Sequence, residues 1–124
     1  MKKIHSINEL NIPDLYKNFI LYFLFNIKKV DNISSVILFG GCARENVNII
    51  NSDVDLLVLA ENEPTLEEEF YIMNDCPPPY GNDYYIPSDI IINSVANYDK
   101  LKNEFGMLQK QVENEGIDLI EFLR

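Results

Sequence analysis

Leu38-Phe39-Gly40-Gly41-Cys42-Ala43-Arg44 and Asn51-Ser52-Asp53-Val54-Asp55-Leu56-Leu57-Val58 are the two stretches that decide how this chain folds. The first closes the β-branched and aromatic run Ser35–Phe39, which predicts a buried strand ending in a tight Gly-Gly turn. The second opens Asp53–Ala60, a strand apolar throughout except for its two aspartates. Residues two apart on a strand share a face, so Asp53 and Asp55 stand side by side. At ~4 Å and an effective dielectric of ~20, two such charges repel by about 4 kcal/mol. A divalent cation offsets that repulsion, and paired carboxylates are hard oxygen ligands suited to Mg²⁺. The plain alternative is an edge strand with both aspartates in water. Gly40 and Gly41 admit two readings as well. They form either an ordinary turn or a place where backbone N–H groups approach a phosphate unhindered by a Cβ. Arg44, one helical turn on, is a surface arginine or a partner for phosphate oxygens.

Outward from these stretches the elements alternate. A helix starts near Pro13, and Tyr16, Ile20, Phe23, Ile27 and Val30 form its apolar stripe. Ala43–Val47 is expected to form a short helix. Pro64-Thr65 opens the next helix, with Thr65 and Glu68 spaced as a capping box. Three consecutive prolines from Pro77 make the following segment irregular. A third strand falls within Tyr84–Asn93. The last helix is expected from Asp99 to Glu115, with Leu101, Phe105, Leu108 and Val112 buried and Gly116 as its cap. A short strand within Ile117–Phe122 ends the chain. This order predicts an α/β (α+β) fold, a mixed sheet packed against helices, as a single domain over residues 1–124.

The 124 residues carry 20 acidic and 10 basic side chains, a formal net charge of −10. Phosphate backbones repel such a surface, so general nucleic-acid binding is not expected, while a polycation or a basic protein suits it. The apolar run Phe19–Phe25 is bracketed by Lys17 and Lys28, far short of the ~20 residues a membrane helix needs. No secretory leader is legible, and two cysteines, Cys42 and Cys76, fit a reduced, cytoplasmic protein.

Taken together, Leu38–Arg44, the eleven-residue spacer Cys42–Ser52 and the Asp-x-Asp of Asp53 and Asp55 resemble the polymerase-beta-like nucleotidyltransferase superfamily. They are closest in pattern to its minimal nucleotidyltransferases. The resemblance is strong over residues 34–60 and loose over 86–122. It implies that Asp53 and Asp55 hold Mg²⁺ and that a third carboxylate on a neighbouring strand completes the metal site and helps activate a hydroxyl. Asp89, just before Ile90-Ile91-Ile92, is the best match, with Asp83 a weaker rival. Gly40, Gly41, Arg44 and Ser52 would position the phosphates of a nucleoside triphosphate, ATP being expected. Two positions depart from the pattern: Gly41 where many members have Ser, and Glu45 where many have Gly.

The resemblance also suggests acceptors. One is a tyrosine of a HEPN-type ribonuclease toxin, with this chain as the antitoxin. The other is a small cationic molecule of the aminoglycoside kind. A catalytically silent nucleotide- or partner-binding domain is a third reading. Tyr80, Tyr84 and Tyr85 either pack against the sheet or contact a base or partner.

Overall fold

The computed structural model describes residues 1–49, 51–79 and 86–124. Its sheet is built from β1 (Lys2–Lys3), β2 (Ile33–Phe39), β3 (Val54–Ala60), β4 (Ser88–Ser94) and β5 (Ile117–Asp118), in the order β1-β5-β2-β3-β4. β2 runs antiparallel to β3 and β5, while β3/β4 and β1/β5 are parallel pairs, so the sheet is mixed. Helices α1 (Asp14–Ile27), α2 (Gly40–Ala43), α3 (Leu66–Asn74), α4 (Val95–Leu101) and α5 (Leu108–Glu115) complete the framework.

The period-2 alternation of the strands sorts their side chains onto two apolar faces. Val36, Leu38, Val54, Leu56, Val58 and Ile90 pack with Tyr16, Ile20 and Phe23 of α1 and with Ile72 of α3. Ile37, Phe39, Leu57 and Leu59 face the other way, against Tyr98 of α4 and Val112 of α5. β2 and β3 are nearly continuous apolar runs because both their faces are covered.

The N-terminus of α3 forms as its sequence predicts. Thr65 Oγ1 accepts from the Glu68 N–H, and Glu68 Oε1 accepts from the Thr65 N–H. Other expectations need correction. The helix expected over Ala43–Val47 lies earlier, at Gly40–Ala43, and the chain turns out of it at Glu45 with φ +58°. The single helix expected over Asp99–Glu115 is two, α4 and α5, with Gly106 between them at φ +82°. Phe105, placed on a buried face by helical spacing, is 94% exposed in that break. Gly116 does cap α5, but with an ordinary φ of −67°. Its glycine is needed for space: a Cβ there would lie 2.5 Å from the Val112 carbonyl oxygen and 2.7 Å from Ile37 Cγ2. Tyr80, Asp83, Tyr84 and Tyr85 lie outside the described residues. Among the described residues no helix is long and apolar enough to cross a membrane.

Candidate active site

Strand directions bring three segments to one end of the sheet. β2 ends there at Phe39, while β3 and β4 both begin there. In register, Asp55 sits between Phe39 on one side and Asp89 on the other. Asp55 and Asp89 are therefore direct neighbours on adjacent strands, on the sheet face that α4 and α5 cover. Asp53 lies one residue before β3, exposed, and Asp89 is exposed at the start of β4. Asp55 itself is half-buried. Burial, then the charges of Asp89 and Asp53, push its carboxyl up to about 6, which Arg44 only partly opposes. The strand thus carries a cluster of like charges that its own residues do not neutralise.

Gly40 begins α2 directly against this cluster. Its φ is +70°, and a Cβ on it would overlap the Asp55 carboxylate. Both facts demand glycine: the backbone is left-handed, and the carboxylate fills the space a side chain would take. Gly41 has less at stake. A Cβ there would stand 3.0 Å from the Asn46 carbonyl oxygen. Cys42 points into the core, and burial, followed by the charges of Asp55 and Asp53, pushes its thiol up to about 12. It is an inert packing residue.

The loop before Asp53 is tied from within. Ser52 Oγ accepts from the Asn48 N–H at 2.7 Å, and the Ser52 N–H donates to the Asn48 carbonyl at 2.8 Å. Tyr16 of α1 donates its hydroxyl to the Ser52 carbonyl at 2.9 Å. The Ser52 side chain therefore shapes the turn that delivers Asp53. Glu45 points to α1's approach, where its Oε1 accepts from the Asn11 N–H at 3.3 Å. Arg44 Nη1 donates to Glu115 Oε1 at 2.9 Å.

Of the residues singled out in the sequence, Gly40, Asp53, Asp55 and Asp89 converge at this end of the sheet, with Gly41 and Arg44 on α2 and at its C-cap beside them. Among the described residues, no three His, Cys, Asp or Glu side chains draw together into a ready ligand cage. The donor set nevertheless suits Mg²⁺, which is ordinarily held by one or two carboxylates with waters and phosphates rather than by protein alone. Two contributors escaped the sequence reading. Tyr16 registered only as a member of an apolar stripe, and Glu115 only as part of a helix ending. Their partners are 36 and 71 residues away, which no local pattern reveals.

The strand-turn-helix element thus packs on the Asp55 carboxylate, with the Asp89 carboxylate opposite it on the next strand. Residues 25–121 match the family described as Polymerase beta, Nucleotidyltransferase, and the chain belongs to that family. It is a nucleotidyltransferase. It is 33% identical, over 89 residues, to a putative protein adenylyltransferase of Methanocaldococcus jannaschii, covering 72% of this chain and 81% of that one. It is also similar to the crystal structure of a putative nucleotidyltransferase from Sulfolobus solfataricus. There the TM-score is 0.47 at 20% identity, over 69% of this chain and 73% of the other.

Proposed function

We propose that the protein transfers AMP from Mg²⁺-bound ATP to a hydroxyl group of another protein. The observation that carries this reading is the Asp55–Asp89 pair, neighbours across β3 and β4, with Gly40 packed on Asp55. Asp53 and Asp55 would hold the metal with Asp89, and Gly40, Gly41, Arg44 and Ser52 would border the triphosphate. When bound, Mg²⁺ supplies positive charge that stabilises the attacking and leaving oxygens of an in-line displacement. The chain's own contribution is positional. Gly40 lets the Asp55 carboxylate pack directly against the start of α2, the Tyr16–Ser52 bond fixes the turn before Asp53, and Asp89 stands at the open edge, where it would accept the proton of an incoming hydroxyl.

A protein acceptor is supported by the name of the archaeal relative, a putative protein adenylyltransferase. It is supported too by the surface opposite the site. The run Phe19–Phe25 divides between core and solvent: Phe19, Ile20, Phe23 and Leu24 are buried, whereas Leu21, Tyr22 and Phe25 are exposed. Leu66, Phe70 and Met73 of α3 are exposed as well, and Tyr71 of α3 donates its hydroxyl to the Asn26 carbonyl of α1, joining the two helices. The acceptor we infer is a tyrosine of a HEPN-type ribonuclease, the partner that the resemblance to minimal nucleotidyltransferases suggests.

The test has two stages. Calorimetry of ATP with and without Mg²⁺ should show metal-dependent binding in the wild type that Asp53→Asn/Asp55→Asn loses. Incubation of a candidate HEPN ribonuclease with the protein, Mg²⁺ and ATP should then release pyrophosphate and add one AMP to a tyrosine. ATP binding that ignores Mg²⁺ and survives the double substitution would refute the site. Pyrophosphate release without a modified protein would refute the acceptor.

A further inference from the structure

Arg44 is the cation beside the carboxylate cluster, and the chain commits considerable structure to holding it. Glu115, in the last turn of α5, accepts from Arg44 Nη1 at 2.9 Å and from Gln111 Nε2 at 2.9 Å through the same oxygen, Oε1. The backbone N–H of Gly40 faces the same carboxylate and helps hold its charged form. One carboxylate thus links the helix that follows β2, the arginine that ends it, and the helix that covers the site's face.

The end of α5 is itself fixed. Gly116 donates its N–H to the Val112 carbonyl at 2.7 Å and packs so closely on Ile37 that no Cβ fits. β5 then pairs with β2 at Leu38↔Ile117, two residues from Gly40. Glu115 is consequently delivered to Arg44 by the sheet's own register. Its side chain is 24% exposed, against 49% for Arg44. Burial acts to raise the Glu115 carboxyl, but the hydrogen bonds from Gln111 and Arg44, the charge of Arg44 and the Gly40 N–H outweigh it and hold it below the usual range.

A free arginine has about 2 kcal/mol of rotamer entropy to lose when it takes up a phosphate. An arginine already clamped through one nitrogen has surrendered much of that freedom during folding and keeps its remaining N–H donors for a ligand. We propose that Glu115 is a positioning residue: it fixes the Arg44 guanidinium for the triphosphate of the nucleotide. The inference rests on the proposed function, since it assigns the partner of Arg44 as the nucleotide's phosphates.

The probe is Mg²⁺·ATP, titrated calorimetrically into the wild type, Glu115→Ala, Glu115→Gln, Arg44→Met and Glu115→Ala/Arg44→Met, each checked by thermal melting. The expected result is a roughly tenfold weaker Kd for Glu115→Ala, the ~1.4 kcal/mol equivalent of a factor of ten. Glu115→Gln, which keeps an acceptor oxygen in place, should recover part of the loss. Once Arg44 is gone, removal of Glu115 should have no further effect. A purely structural role would lower the melting temperature in both backgrounds without this dependence on Arg44. Three results overturn the proposal while leaving the nucleotide reading intact: wild-type-like binding by Glu115→Ala, tighter binding by it, or independent, multiplying losses in the double variant. Failure of Glu115→Ala to fold leaves Glu115→Gln as the deciding variant, with wild-type affinity counting against the proposal. Failure of the wild type to bind Mg²⁺·ATP overturns the proposal and the nucleotide reading together.

Discussion

Replacing Asp55 by Asn should stabilise the metal-free protein at neutral pH and leave it nearly unchanged in acid. The ordinary value for the Asp55 carboxyl is 3.8, and in the fold burial and the charges of Asp89 and Asp53 push it up to about 6. An acid whose folded value is raised binds more protons in the native state than in the unfolded one between those two values. Stability is therefore lost as pH rises from about 4 to about 6, and the full penalty is present above that window. The gap corresponds to about 3 kcal/mol at 1.36 kcal/mol per pH unit. Asp55 is only half-buried, so solvent screening reduces the expected gain to about 1–2 kcal/mol. Neutral Asn keeps the shape and removes the charge. In chelator at pH 8, Asp55→Asn should melt about 3–8 °C above the wild type, with the difference vanishing near pH 4. Calorimetric melting across pH 4–8 measures it. Equal melting at pH 8, or a difference that does not depend on pH, would refute the account of an uncompensated carboxylate cluster.

Gly40→Ala should cost about 2–4 kcal/mol, because it combines a left-handed backbone with overlap on Asp55, whereas Gly41→Ala, which need only shift the Asn46 carbonyl slightly, should cost under about 1 kcal/mol. Denaturant unfolding compares the two. Glu45 occupies a left-handed backbone at φ +58°, so Glu45→Gly should gain about 0.5–1 kcal/mol in the same assay despite losing the bond to Asn11. Phe105→Ser should fall within about 0.5 kcal/mol of the wild type, while Phe23→Ala, fully buried, should lose about 3–5 kcal/mol.

The central strands and the carboxylates were legible because their signals are local. A run such as Ser35–Phe39 closed by two glycines, and an aspartate pair set in an apolar strand, need no knowledge of the rest of the chain. The position of Asp89 beside Asp55 was legible only through the resemblance, since nothing in the local sequence states that β4 lies parallel to β3 in that register. The break between α4 and α5 was misread for a physical reason. Leu101, Phe105, Leu108 and Val112 keep helical spacing across it, and only Gly106 argues otherwise, at a cost a helix can absorb. The Arg44–Glu115 ion pair was beyond reach, because a bond spanning 71 residues is a property of topology.

The outermost pairing of the sheet, Lys2↔Ile117 and Lys3↔Asp118, joins the two ends of the chain across nearly its whole length. Closing so long a loop carries the largest entropic cost of any strand pairing here, and a two-residue ladder returns little for it. During folding this clasp should therefore form late, after β2, β3 and β4 have come together. In the native protein it should open more readily than the central strands, so that the amides of β1 exchange with solvent long before those of β3.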